Sequence, residues 1–351
     1  MSLWTYGYLN ARLRGLLSLM ITKTTIHELL QATTLDEIIS IIRNTSYKRY
    51  FETLNGFSIE FIEKILKTHF SDLCNSIRRG VSGNLACFLD VVLTRFNSTN
   101  LKSILRGIHA GLKQDDVLKY IFPIKGHNLE NFSPLLRENT VKTAIEMIKD
   151  TKLKKALSEA YPEYHASDNL LILEVVLDQV VYHRLWEEAL KWKAHKLFRL
   201  NPKFHIRNLV GTEIDLMNML VTLRCLSLGI NPERYLIPIY YRICTRHFPL
   251  KSDSFEDALL TFLQCPIYGH LFKDLTEKEP FEIVSALETT FPRYYVRLCR
   301  DFFNGLPYHC ALLYCFLILK LYEINDLKLV LIGKLEGISP IKIQDHLILY
   351  N

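Results

Sequence analysis

An all-α protein is predicted, assembled from three copies of one helical module. Three observations predict it. Apolar residues recur at three- and four-residue spacing along most of the chain, no segment sustains the period-two alternation of a strand, and ordered blocks of residues return about every 110 positions. The composition agrees: 49% of the 351 residues are hydrophobic, and only 14 glycines and 12 prolines favour long regular elements over tight turns. A chain of this length exceeds one ordinary core and points to two or three domains.

From the N-terminus, amphipathic spacing predicts helix over 26–42, 59–70, 171–190, 216–228 and 281–303. Thr25 with Glu28 and Thr34 with Glu37 have the spacing of capping boxes, and Ser254 with Asp257 is a weaker version. Asn231-Pro232 and Ser339-Pro340 each place a capping side chain before a proline at the first helical position. The longest clean apolar run, Cys310 to Leu319, ends at Lys320. It is too short to span a bilayer, which takes about 20 such residues. The opening, MSLWTYGYLNARLRGLLSLMI, carries its arginines behind the first apolar residues and does not read as a signal peptide. A cytoplasmic protein is expected, held at a membrane surface only through a partner.

The repeat organises the rest. Asn97-x-x-Asn100-Leu101 runs to Arg106 and Gly111-Leu112, Asp215-x-x-Asn218-Met219 to Arg224 and Gly229-Ile230, and Glu323-x-x-Asp326-Leu327 to Ile332 and Gly337-Ile338, all without a gap. We read each unit as a polar cap opening a helix, apolar positions at +1, +4 and +5 facing a core, and a glycine whose left-handed backbone ends the helix. A second block aligns Leu29–Phe51 on Leu135–Leu157, matching Leu35 with Val141, Ile42 with Ile148 and Thr45 with Thr151. Phe255, Leu259, Phe262 and Cys265 fill the same slots in the third copy. A third block is an apolar residue followed by glutamate, at Ile59-Glu60, Leu173-Glu174 and Phe281-Glu282. The expected division is 1–99, 100–217 and 218–351, and three copies in one chain suggest closure with pseudo-threefold symmetry.

Several chemistries compete with plainer readings. Glu174 and Asp178 lie one helical turn apart, as an acid/base pair or metal site would need, with Tyr182 and His183 nearby. The glutamate returns at Glu60 and Glu282 without the aspartate, which favours acids that pair with a neighbouring repeat. Cys244-x-x-His247 is half of a zinc-type spacing, with Cys265, His270 and His309-Cys310 as conceivable partners, but no second close pair exists. The eight cysteines form no CxxC pair and read as free, buried thiols. No glycine-rich phosphate loop is present, so no direct nucleotide binding is expected. Net charge is +6. The segment 184–207 gathers Arg184, Lys191, Lys193, Lys196, Arg199, Lys203 and Arg207 among Trp186, Trp192 and Phe198. That mixture suits nucleic acid or another acidic partner, or else a helix with a solvated basic face and inward aromatics.

Tyr6-Gly-Tyr8-Leu-Asn10-Ala11-Arg12-Leu-Arg14-Gly15 resembles the opening helix of the C (or d) subunit family of V/A-type ATPases. Leu173-Glu174-x-x-Leu177-Asp178-x-x-x-Tyr182 is similar to its central helix, and Lys320-x-x-Glu323 through Gly333-Lys334, Gly337-Ile-Ser-Pro340 and Ile343 to its C-terminal signature. The likeness covers start, middle and end in order, closer to the bacterial and archaeal branch. Asp326 stands where asparagine is usual, Leu321 where an acid is usual, and Ile332 where the other two copies have arginine. The resemblance implies a funnel-shaped, non-enzymatic helical socket without cofactors. It would cap the membrane rotor ring (c, K or L subunits) on its cytoplasmic side and grip the central shaft, subunits D and F, in support of proton or sodium transport. Arg12, Arg14, Arg106, Arg224 and Lys334 are the candidate partner contacts, with intramolecular pairing as the competing role.

Overall fold

The computed structural model describes residues 3–51, 58–124, 132, 134–192, 206–243, 254–305 and 309–351, and among them every regular element is helical. The elements are α1 Leu3–Ser18, α2 Lys23–Gln31, α3 Leu35–Arg43, α4 Ile59–Arg79, α5 Gly83–His109, α6 Gln114–Leu118, α7 Val141–Met147, α8 Thr151–Ser167, α9 Leu171–Lys191, α10 Ile206–Ser227, α11 Phe255–Leu263, α12 Pro280–Phe303, α13 Ala311–Leu335 and α14 Pro340–His346. They fall into two compact units. The first comprises Met1–Val181 with Pro307–Asn351, and the second Tyr182–Leu306.

In the first unit α13 is the hub, packed against α1, α2, α4, α5 and α14. Its first ten residues, Ala311 to Lys320, are buried on every side. The apolar run that opens it is therefore core, and no helix among the described residues is long and apolar enough to cross a membrane. A second cluster in this unit gathers α5, α7, α8 and the start of α9 around Leu105, Ile145, Leu157 and Leu177. In the second unit α10 lies along α12 and receives α11.

Hydroxyl caps start equivalent helices. Thr34, Thr140 and Ser254 precede α3, α7 and α11, and each side chain accepts from the backbone N–H three residues on. At Thr34 the box is complete, because Glu37 reaches back to the cap backbone. The box expected at Thr25 does not form. Thr22 caps α2 instead and accepts from Thr25 N. Asn231 Oδ1 does accept from Glu233 N, but the proline after it opens only a short 3₁₀ turn, Glu233–Tyr235.

Identical caps end α5, α10 and α13. Gly111, Gly229 and Gly337 have φ of +66°, +68° and +70°. Beyond them Leu112 N donates to Gly107 O, Ile230 N to Cys225 O and Ile338 N to Gly333 O, at 2.9, 2.8 and 2.8 Å. This six-to-one bond is the Schellman closure. In two copies the residue that accepts it must itself be glycine. A Cβ on Gly107 would come within 2.3 Å of Val117, and one on Gly333 within 2.7 Å of Ile343, ten residues on in both cases.

One expectation drawn from the repeat is corrected. Asn97, Asp215 and Glu323 open no helix, because α5, α10 and α13 run through them. Helices α5 and α10 run unbroken through 99–100 and 217–218. The apolar positions behave as expected: Leu101, Ile104 and Leu105, then Met219 and Leu223, then Leu327, Val330 and Leu331 are all fully buried.

Replacing Gly337 by alanine should lower stability by about 1–2 kcal/mol, because an L side chain is strained at that φ. Gly7→Ala in α1, where a Cβ meets nothing within 4 Å, should raise it by up to about 1 kcal/mol. Urea denaturation of the two variants checks both signs.

Candidate functional site: the ends of the three long helices

The polar residues of the repeat are tie points. Asn100 Nδ2 donates to Phe122 O at 2.9 Å, while Phe122 N donates to Asn100 Oδ1 at 2.8 Å. Asn218 makes the same two-way pair with Ile237, at 2.8 and 2.9 Å, and also donates to Ile239 O. Asp326 has no donor, and its carboxylate instead collects the backbone N–H groups of Ile348, Leu349 and Tyr350 at 2.7–3.2 Å. Each buried side chain thus pins a segment that lies beyond the helix-ending glycine. The exchange of asparagine for aspartate changes which backbone groups are held, and the tie is kept.

One turn earlier the copies differ in a coordinated way. Asp215 accepts from Tyr241 N, Arg242 N and the Tyr268 hydroxyl, the last at 3.0 Å. Glu323 accepts from Ile21 N at 3.0 Å and the Tyr47 hydroxyl at 3.3 Å. Tyr47 and Tyr268 each precede a 3₁₀ turn closed by a phenylalanine, Phe51 and Phe272, and all four are fully buried. In the remaining copy Leu153 occupies the tyrosine slot and Asn97 the acid slot. Where no hydroxyl is offered, no charge is buried.

Glu323 also holds Lys320, with Nζ 3.0 Å from Oε2. Desolvation pushes the Lys320 ammonium down and the Glu323 carboxyl up, and each partner counters the effect on the other. Lys320 Nζ lies 4.6 Å from the centre of the Tyr47 ring, and that ring stacks on His69 at 4.1 Å. Burial first, then the nearby Lys320 and Arg49 charges, pull His69 down to about 3.

The five candidate cations are all engaged within the chain. Arg12 donates to Ser76 O and Oγ, both at 2.8 Å, and Arg14 Nε to Asn10 Oδ1 at 3.1 Å. Lys334 Nζ donates to Leu30 O in the last turn of α2 at 3.0 Å. Arg106 forms a two-pronged pair with Glu174, and Lys102 meets Asp178 at 2.6 Å, so the paired carboxylates of α9 bridge to α5. Arg224 pairs with Glu288, joining α10 to α12, and Lys328 pairs with Glu63, joining α13 to α4. Arg106 and Arg224 keep side-chain exposures of 61% and 48%, which leaves a solvent-facing edge on each.

The remaining sequence candidates are dispersed. Tyr182 donates to Glu213 at 3.0 Å rather than joining the α9 acids. Trp186 is half-buried and packs edge-on against Tyr241, 5.6 Å between ring centres. Most of 184–207, including Lys193, Lys196, Phe198, Arg199 and Lys203, lies outside the described residues, as do Cys244 and His247. Of the other cysteines, Cys74, Cys299, Cys310 and Cys315 are buried, Cys225 and Cys265 are half-buried, and Cys87 is exposed.

The model of the ATP synthase (C/AC39) subunit family matches residues 9–346. The chain belongs to that family. The A-type ATP synthase C subunit of Methanocaldococcus jannaschii is 23% identical over 351 residues, covering 98% of this chain and 86% of that protein. Those of Methanosphaera stadtmanae, 24% identical over 94% of this chain and 84% of theirs, and Methanosarcina mazei, 23% over 98% and 93%, are similar. As a member of the C/AC39 family the chain is a non-catalytic subunit of a rotary ATP synthase complex. The acids, tyrosines and cations above hold its helices together.

Two outcomes follow for a C/AC39 protein built this way. Asp326→Ala should cost about 3 kcal/mol by stranding buried N–H groups, with faster amide exchange at 348–350, and Asp326→Asn should cost less. His69, held near 3 in the folded chain, binds fewer protons there than when unfolded, at about 6.5. Its contribution to stability is complete above pH 6.5 and falls by about 1.4 kcal/mol per unit as the pH drops toward 3. The difference in urea stability between wild type and His69→Phe, taken from pH 7 to pH 4.5, measures that loss.

Proposed function

We propose that this protein is the central-stalk coupler of a rotary V/A-type ATPase. It would join the shaft of subunits D and F to the membrane ring of c, K or L subunits on the cytoplasmic face, and carry torque between them in support of proton or sodium movement. In this reading the three modules surround a common axis as a funnel-shaped socket. The joints between modules would follow the helix-ending glycines.

One observation carries the reading: the order of the ion pairs that bridge helices. The last long helix of the first module (α5) pairs with the long helix of the second (α9), that of the second (α10) with the third (α12), and that of the third (α13) with the first (α4). A set of contacts that returns to its start is what three copies closed about an axis require. The helix tips supply a candidate contact face. Leu112, Ile230 and Ile338 follow the three glycines and are 51%, 40% and 43% exposed. A Schellman cap normally packs this residue back onto its helix, but glycine at 107 and 333 offers nothing to pack against. We assign the three tips and the free edges of Arg106 and Arg224 to the shaft or ring.

Changing Leu112, Ile230 and Ile338 together to serine should leave the fold intact and weaken assembly with the purified ring or the D–F shaft by about tenfold or more. Reversing Arg106 and Arg224 to glutamate should act in the same direction. Surface plasmon resonance against each partner decides it: unchanged affinity in both variants, with unchanged circular dichroism, removes these residues from the interface.

A further inference from the structure

Between the 3₁₀ turn Lys48–Tyr50 and the last turns of α4 lies a groove of about 840 Å³, lined by Ser46, Arg49, Tyr50, His69, Arg78 and Arg79 among others. We propose that this groove binds a phosphorylated small molecule carrying at least two negative charges. The proposal is independent of the coupling role.

Arg49, Arg78 and Arg79 line the groove, and Arg12 enters from α1 to hold Ser76, another lining residue. Two carboxylates face these four guanidiniums. Asp72 takes Arg49 at 2.9 Å and the Tyr50 hydroxyl at 2.7 Å, and Asp90 takes Arg78 through two bonds at 2.6 and 3.0 Å. Two positive charges are left over. Part of this set serves the fold: Arg78 is spent on Asp90, and cations suit the carbonyl end of a helix. Arg12 is also structural. Its guanidinium crosses Gly80 closely, and a Cβ there would lie 1.8 Å from Nη1 and push the guanidinium aside. Arg49 meets Asp72 but keeps a side chain 70% exposed, and the exposed Arg79 faces no carboxylate of this set, so both can turn to a ligand.

His69 adds an independent sign. It lines the groove, is only 9% exposed, and its Nδ1 is a buried polar atom with no hydrogen-bond partner. Such atoms are rare in folded proteins. Burial keeps the ring neutral, so it adds polarity beside the groove and no charge.

Size and shape select among anions. A bare phosphate would leave most of the volume empty, and the volume lies within the roughly 300–1,000 Å³ range of small-molecule sites. Guanidinium forks match phosphate oxygens, and the Ser46 hydroxyl adds a donor. The cations line one concavity rather than a row, which favours a compact multivalent anion over an extended acidic peptide. The same chemistry could come from a soluble nucleoside polyphosphate or from a phosphorylated lipid headgroup.

The test uses the full chain with three probes: ATP and sodium pyrophosphate by isothermal titration calorimetry, and phosphatidylcholine vesicles containing phosphatidic acid by co-sedimentation. Saturable binding is expected, weakened about tenfold or more by Arg49→Ala with Arg79→Ala and unchanged by Arg297→Ala on the exposed side of α12. Binding of the soluble probes assigns a free phosphate compound, and binding of the vesicles alone assigns a headgroup. Should the double variant unfold, Arg79→Gln alone carries the test. Absence of binding to all three probes, equal loss in Arg297→Ala, or groove-dependent capture of a glutamate-rich peptide in preference to the phosphates overturns the proposal.

Discussion

A polar side chain buried in the middle of a helix cannot use its own helix's backbone, which is already paired, and must find partners elsewhere. Asn100, Asn218 and Asp326 stand in that position. Each draws in a segment that follows the helix it belongs to: Phe122 to Asn100, Ile237 to Asn218, and Ile348 to Tyr350 onto Asp326. The turn that lets the chain come back is the glycine of the Schellman cap, and the close return is what forces glycine at 107 and 333. Helix, stop and return form one device, and the rest of each module packs around it.

The second shared constraint is the cost of burying charge. Asp215 and Glu323 are completely buried, and each is offset by a tyrosine hydroxyl and backbone N–H groups. The copy with leucine at 153 has asparagine at 97. The two slots change together because an acid without its donors would be expensive. Lys320 extends the pairing at Glu323 and places a cation against the Tyr47–His69 stack, so the core of α13 and the wall of the Arg49–Arg79 groove share the same residues.

A non-catalytic subunit of a larger complex relies on helices held rigidly to one another. The ion pairs at Arg106, Arg224 and Lys328 serve that need. The apolar residues just past each stop, Leu112, Ile230 and Ile338, stay half-exposed. Nothing in this arrangement calls for a reacting group, in keeping with the non-catalytic character of the family.

Much of this was legible in the chain itself. Period 3.6 fixes helix, glycine at 111, 229 and 337 fixes the stops, and the equal spacing before each glycine exposes the repeat, because these features act over a single helical turn. The hydroxyl caps at Thr34 and Ser254 were readable for the same reason. What Asn97, Asp215 and Glu323 do was not readable in that way. A polar residue ahead of an apolar run looks like a cap until the helix is seen to begin a dozen or so residues earlier in α5, and its partners lie far away in sequence. The use of Arg106 was equally hidden, since Glu174 is 68 residues off. Local order follows from short-range sterics and periodicity. Which buried acid meets which tyrosine, and which arginine is tied and which is left over, was decided only when distant helices came together.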